Sequence, residues 1–115
     1  MKVMKTSEIP QQERGGGLFQ GHVTVQTVLD SADSELRTNL INFDEGAVNV
    51  FHTHSFDQVL YVTEGEGIIA NEHEEIRITA GTFVVIPAGE RHWHGAVPNS
   101  KFSHIAIAIR GKTTY

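Results

Sequence analysis

The chain of 115 residues contains no cysteine and no long apolar run. Without cysteine it has no disulfide framework, no cysteine-based zinc site and no thiol nucleophile. Basic residues are few, because 9 Lys and Arg stand against 14 Asp and Glu, and the net charge of −5 is opposite to that of a nucleic-acid-binding surface. The chain contains no run of about 18 apolar residues, which is the length needed to span a membrane, and residues 1–8 lack the apolar segment of a signal peptide. These absences predict a cytoplasmic protein that binds neither nucleic acid nor membranes.

Hydrophobic residues make up 39% of the chain, so a core of ordinary size is expected. A chain of this length buries about 65% of its unfolded surface, which is enough for one domain to fold without a disulfide or a structural metal. We therefore expect any bound metal to serve chemistry.

The apolar residues recur with a period of two and are interrupted by Gly, Pro, Asp or Asn about every five to ten residues. This pattern is typical of short strands joined by turns and predicts an all-β sandwich or barrel. A hairpin turn is expected at the glycines of residues 64–67, and one continuous strand over residues 47–54. The predicted organisation is a leader segment at 1–17, a single barrel domain at 18–110 and a tail at 111–115.

The last predicted strand, residues 102–110, is uncharged on both faces over residues 104–109 apart from one histidine. Ile105 and Ile107 lie on one face, whereas His104 and the small Ala106 lie on the other. Such a strand is covered on both sides. The second cover is either the N-terminal segment or another copy of the chain, and we expect a homodimer or higher homo-oligomer.

Seven histidines are many for so short a chain. The alternation of side chains along strands predicts that six polar residues face inward: His52, His54, Gln58, His92, His94 and His104. Burying so many polar groups is costly unless they bind something. The pair His52 and His54 alone is equally compatible with polar residues at a strand end. His22 and His73 lie near loops among polar residues and are expected to be solvated.

Two segments carry a resemblance to a known family. Residues 46–65 resemble the first cupin motif, Gly-x5-His-x-His-x3-Glu-x6-Gly, with Gln58 in place of Glu. Residues 81–92 resemble the second motif, Gly-x5-Pro-x-Gly-x2-His, although Ala96 replaces the Asn that usually follows. The resemblance implies a cupin jelly-roll β-barrel of two antiparallel sheets. It also implies one metal, held by His52, His54, Gln58 and His92.

Within the cupins, the ligand pattern His-x-His-x3-Gln and the segments 92–96 and 103–107 are similar to the bacterial cupin-type hydroxynitrile lyases. Small cupins associated with carboxymuconolactone-decarboxylase-like partners are also similar. The resemblance implies one divalent metal ion per chain, manganese first, with iron, nickel and zinc as alternatives. It also implies a small-molecule substrate, with His104 and His94 as the base and the cyanide-stabilising group. Both histidines are equally able to serve by orienting the ligands or filling the cavity.

Three histidines and an amide are neutral ligands, so a divalent cation would keep its full charge and act as a strong Lewis acid. This favours a lyase acting on a hydroxyl or carbonyl group. A cupin dioxygenase or oxidative C–C cleaving enzyme, and a non-catalytic ligand-binding module, are the alternatives. Asp57 is a further candidate ligand, although its strand parity is wrong for it. Phe43 and Tyr61 are candidates for lining the pocket.

Overall fold

A computed structural model describes residues 1–115, and nearly all of its regular elements are strands. The strands are β1 (Gln12–Arg14), β2 (Phe19–Gln20), β3 (Val23–Leu29), β4 (Leu36–Phe43), β5 (Val48–Asn49), β6 (Thr53–His54), β7 (Gln58–Asn71), β8 (Glu75–Thr79), β9 (Phe83–Ile86), β10 (His92–Ala96), β11 (Phe102–Ile109) and β12 (Thr113–Thr114). A single 3-10 turn covers Thr6–Glu8. No helix is long and apolar enough to cross a membrane. The all-β prediction is confirmed.

The strands form two antiparallel sheets that share β7 and close into a barrel. One sheet contains β1, β3, β4, β11, the first half of β7 and β9, in that order. The second half of β7 pairs with β8 on one side and with β10 on the other, and β5 and β2 follow β10. Strands β6 and β12 pair with each other as a separate ribbon. The two-sheet barrel predicted from the sequence is thus confirmed.

The hairpin predicted at residues 64–67 is wrong, because β7 runs without a turn from Gln58 to Asn71. Gly65 does have a positive φ of 76°, but it stays paired with Phe102 of β11, and the bulge in this pairing lies at the neighbouring residues 62–64. Gly67 is needed for close packing, since a Cβ there would lie 2.6 Å from the carbonyl oxygen of Gly95 and from the ring of Phe102. These glycines therefore allow close contact between strands, and neither closes a hairpin.

The single strand expected over residues 47–54 is also wrong, because the chain changes partners within it. Strand β5 pairs with β10 and β2, whereas β6 pairs with β12. Between them, His52 forms an isolated bridge with His92. The change of partner turns this segment from the sheet towards the ribbon at the end of the barrel.

The apolar core fills one end of the barrel. Phe102 on β11 is level with Phe43 on β4, which is level with Val23 on β3, and all three side chains are fully buried. Burial of each large apolar side chain contributes roughly 1.5–3 kcal/mol. The next inward-facing residues along β11 are His104 and then Ala106, both buried. The polar His104 thus separates this main core from a smaller apolar cluster formed by Leu60, Ile86 and Ala106.

The leader segment packs on the outside of the barrel. Strand β1 pairs with β3, and the Gln26 amide donates to the carbonyl oxygens of Thr6 at 2.7 Å and Ile9 at 2.9 Å. The Thr24 hydroxyl donates to the Gln11 side chain at 2.8 Å. These bonds explain why two polar side chains on the outer face of β3 are buried. The N-terminal segment therefore covers the β3 side of this sheet.

The opposite side of the same outer face is apolar and exposed. Four apolar residues on β9 and β11 are each at least 36% accessible: Phe83, Val85, Ile107 and Ile109. The ring of Tyr61 packs on Phe83, with 4.5 Å between the ring centroids. Tyr61 is thus on the outside, and the prediction that it lines the inner pocket is wrong, because its neighbours on β7 are the ones that face inward. Phe43, by contrast, is inside the barrel.

Candidate metal centre

Three histidines meet where the chain passes from β5 to β6 and enters β10. His52 and His92 exchange backbone hydrogen bonds of 2.9 and 3.0 Å, which fixes their two segments side by side. His54 follows two residues later, and its ring centroid is 4.8 Å from that of His52. One ring nitrogen from each of the three lies within 4.8 Å of the others. The structure thus brings together three of the four ligands that the sequence predicts.

Each of the three rings is held in one orientation by a hydrogen bond at Nδ1. The partners are the Val50 carbonyl for His52 at 2.7 Å, the Glu90 carbonyl for His92 at 2.8 Å and the Thr113 hydroxyl for His54 at 2.9 Å. A carbonyl accepts only an N–H, so Nδ1 carries the proton in His52 and His92. Their Nε2 lone pairs are then free to bind a metal, which is how ligating histidines are usually supported.

The atoms that would hold a metal are buried and have no other partner. Nε2 of His54, Nε2 of His92 and Oε1 of Gln58 are all inaccessible, and none of them makes a hydrogen bond. A buried polar atom left unpaired costs about 1–3 kcal/mol, so three at one place indicate a bound group. The four donors are neutral nitrogen and oxygen atoms of the kind that divalent cations accept. The residues present therefore fit a divalent metal ion.

Burial keeps the three imidazoles neutral, as metal binding requires. Desolvation lowers the pKa of His52 and of His54 to about 4, and the nearby His92 acts in the same direction. The pKa of His92 is also lowered, again mainly by desolvation. Protons therefore compete little with a metal at neutral pH.

Gln58 is the first residue of β7 and pairs with Ile86 on β9. Its side chain partly offsets the lowering of the His54 pKa, which indicates that the amide lies beside that ring. Asp57, the alternative ligand, instead accepts a hydrogen bond of 2.9 Å from the backbone N–H of Ala88. The structure thus occupies Asp57 in the loop beside the site and leaves Gln58 available.

His94 and His104 form a fully buried pair behind the three ligands. Nε2 of His104 and Nδ1 of His94 are 3.2 Å apart, and the His94 ring centroid is 5.8 Å from that of His52. Desolvation lowers the pKa of His104 to about 4 and that of His94 well below its usual value. Both nitrogens of His94 have partners, whereas Nδ1 of His104 has none. His104 is therefore the member of the pair with a buried ring nitrogen that has no hydrogen-bond partner.

Two residues of the site were not anticipated from the sequence. Thr113 lies in the predicted tail, yet β12 pairs with β6 and brings its hydroxyl to His54. Asn49 is buried between β2 and β10 and bonds both the backbone and the ring of His94. Thr113 lies outside both motifs and Asn49 occupies an unspecified position of the first, because each acts through a contact between distant segments. An inward-facing Asn in an apolar strand was the only available signal for Asn49.

The remaining histidines lie outside the site, as predicted. His22 is exposed and bonds the carboxylates of Asp44 at 2.8 Å and Glu13 at 3.0 Å. His73 is exposed in the turn after β7.

Phe56 is an aromatic residue that contacts the site, since its ring stacks on His54 with the centroids 4.8 Å apart.

Comparisons with known proteins support the same fold. The family model described as "Cupin domain" matches residues 39–107. An (R)-mandelonitrile lyase of Granulicella tundricola is 33% identical over 93% of this chain and 86% of its own length. An acireductone dioxygenase of Sulfurihydrogenibium sp. is 37% identical, but over 49% of this chain and only 34% of its own length. The crystal structure of a cupin-like protein from Thermotoga maritima superposes with a TM-score of 0.85 and 24% identity, covering 100% of this chain and 88% of that one, which shows a shared fold.

Proposed function

Because the chain belongs to the cupin family, we propose that it is a metal-dependent lyase that cleaves a small cyanohydrin into an aldehyde and hydrogen cyanide. The observation that carries the proposal is the convergence of three imidazoles with a neutral amide at buried, unpartnered atoms. The similarity to a mandelonitrile lyase over nearly the whole chain supports the same reaction class.

One divalent metal ion is proposed per chain, held by His52, His54, His92 and Gln58. Manganese is our first choice, followed by iron, nickel and zinc. Such an ion would polarise a bound hydroxyl or carbonyl oxygen. With no anionic ligand in the set, its charge would be undiminished, which favours this Lewis-acid role.

The reaction needs a net transfer of one proton from oxygen to cyanide. The hydroxyl gives its proton to a base, the carbon–carbon bond breaks with its electron pair on cyanide, and cyanide takes up a proton. His104 is proposed to contact the reacting atoms, because its Nδ1 is the free nitrogen of the buried pair. His94 is proposed to support it, since both of its nitrogens are already bonded. The rings of Phe43 and Phe102 pack against the buried His104, and such burial would strengthen these interactions.

The proposal is tested by measuring metal content and turnover together. The purified protein is stripped of metal, reloaded with manganese, iron, nickel or zinc, and assayed with mandelonitrile for release of cyanide and benzaldehyde. Oxygen uptake is followed in the same samples. Metal-dependent cyanide release without oxygen uptake is the expected result. If both activities are absent with all four metals, the enzymatic proposal is overturned and a ligand-binding module is favoured.

His104→Ala is the matched variant for the catalytic assignment. It should retain the metal, because His104 is outside the ligand set, and lose most of the turnover. His73→Ala, on the surface, is the control and should change neither quantity. Full turnover in His104→Ala would contradict the role of this residue.

A second candidate function is a dioxygenase reaction. It is favoured by the match to acireductone dioxygenases, although the chain spans only about a third of the relative from Sulfurihydrogenibium sp.. Oxygen uptake that depends on iron or nickel, with no release of cyanide, would favour this alternative.

A further inference from the structure

The amide of Asn49 has only one orientation that satisfies its contacts. Asn49 is 4% accessible, and its Oδ1 lies 2.7 Å from the backbone nitrogen of His94. That nitrogen can only donate, so the atom facing it must be the amide oxygen. The amide nitrogen then faces Nε2 of His94 at 3.2 Å and donates to it. Nε2 of His94 is therefore the acceptor and carries no proton.

The orientation of the Asn49 amide also determines which ring nitrogen carries the proton in His94 and in His104. A neutral His94 with a bare Nε2 carries its proton on Nδ1, which lies 3.2 Å from Nε2 of His104. His94 therefore donates to His104, and Nε2 of His104 accepts. The proton of His104 is then on Nδ1, the nitrogen that is buried and has no partner in the protein.

We propose that Asn49 is a positioning residue that sets the tautomers of His94 and His104, so that His104 presents an N–H donor to a ligand. The inference deepens the proposed function and rests on it for the identity of that ligand. With this proton pattern His104 would stabilise a developing anion such as cyanide by donating a hydrogen bond from Nδ1, and it would not act as the base, because its single lone pair, on Nε2, already accepts from His94. A buried donor directed in this way needs no reorganisation during the reaction.

A purely structural role for Asn49 makes a different prediction. If its amide only linked β5 to the backbone of β10, His94 could adopt either tautomer. The rings of His94 and His104 would then not each have a single protonated nitrogen. The proton positions on the two rings therefore separate the two roles.

The test is nitrogen NMR of the imidazole rings in the full chain, both metal-free and loaded with diamagnetic zinc, near neutral pH. Couplings from the ring nitrogens to the ring carbon-bound protons identify which nitrogen is protonated. We expect Nδ1 to be protonated in both His94 and His104. A proton on Nε2 of either ring, or shifts averaged between the two nitrogens, would overturn the inference.

Asn49→Leu, close to the original side chain in size, removes the donor to His94. We expect the single tautomer of both rings to be replaced by a mixture, whereas Asn99→Leu, the same change at an exposed residue after β10, should leave it intact. Unchanged tautomers in Asn49→Leu would show that Asn49 does not set them. If this variant does not fold, the measurement on the unaltered chain decides. Because no step requires turnover, failure here is distinguishable from failure of the lyase proposal.

Discussion

The hydroxyl of Thr113 lies 2.9 Å from Nδ1 of His54, although the two residues are 59 positions apart in the chain. The pairing of β12 with β6 brings them together, with Thr113 directly opposite His54 in the register. The ring of His54 is thereby held with Nε2 turned away from the ribbon, and this Nε2 is one of the three partnerless atoms of the site.

Thr113→Val should weaken metal binding by roughly 10- to 100-fold, because loss of a partner behind a ligating histidine typically costs that much. The valine keeps the shape of the side chain and removes only the hydroxyl. Isothermal titration of the metal-free protein with manganese or zinc measures the effect. Thr113→Ser restores the hydroxyl and should bind nearly as tightly as the unaltered chain; equal affinity in all three would rule out this role.

Replacing either His52 or His92 with alanine should abolish stoichiometric metal binding. The two residues exchange backbone hydrogen bonds and contribute converging ring nitrogens, so the remaining ligands cannot compensate. Elemental analysis after dialysis against metal measures the occupancy. His73→Ala is the surface control, and a full complement of metal in either ligand variant would contradict the site.

Gln58→Glu should strengthen metal retention and lower lyase turnover, because an anionic ligand reduces the effective charge of the metal. For an oxygenase the same change restores the usual cupin ligand, and oxygen chemistry would be kept or improved. The two functions thus predict opposite signs in one variant. Both turnovers are measured at metal content matched to the unaltered protein, and undiminished lyase activity would refute our explanation for Gln58.

The stability provided by His22 should fade as the pH rises. Its hydrogen bond to Asp44, followed by that to Glu13, raises the pKa of His22 above 6.5 in the folded protein. The stabilisation is therefore fully present below about pH 6.5 and is lost as the pH rises through the folded pKa. The difference in melting temperature between the unaltered chain and His22→Gln should be larger near pH 5.5 than near pH 8.5. The buried histidines are present in both proteins, so their own effect on stability cancels in the difference between the two melting temperatures. A difference that does not change with pH would refute the prediction.

The exposed apolar face formed by Phe83, Val85, Ile107 and Ile109 should pair with the same face of a second chain. The leader covers only the other side of this sheet, and a stable interface needs about 800 Å² from each partner. We expect light scattering to give the mass of two or more chains at micromolar concentration. Val85→Lys should yield monomers, whereas Ile76→Lys, an exposed site on β8, should not. A monomeric unaltered chain would exclude the dimer.

The sequence predicted the last strand and the cluster of three histidines where the signal is local. The strand expected over residues 102–110 agrees with β11 (Phe102–Ile109), because a long uncharged run is typical of a strand covered on both faces. The cupin-like spacing of His52, His54 and His92 likewise anticipated that their ring nitrogens lie close together. These features depend on residues close together in the chain or on a motif with fixed spacing.

Features that depend on contacts between distant segments were not predictable in the same way. The glycines of residues 64–67 suggested a turn, but a turn and a close approach of two strands call for the same residue. Only the position of Phe102 and the neighbouring strand shows which applies. The link from Thr113 to His54 was missed for the same reason, since nothing in either local sequence identifies the partner.

Strand β7 belongs to both sheets, and this has a consequence for how the barrel opens. Its first half pairs with β9 and β11 and begins with Gln58, while its second half pairs with β8 and β10, the strand that carries His92. Neither sheet can separate from β7 without disturbing a strand that holds a ligand. Hydrogen exchange should therefore report the barrel and the metal cluster as one cooperative unit, and an ion bound there would slow the opening of both sheets alike.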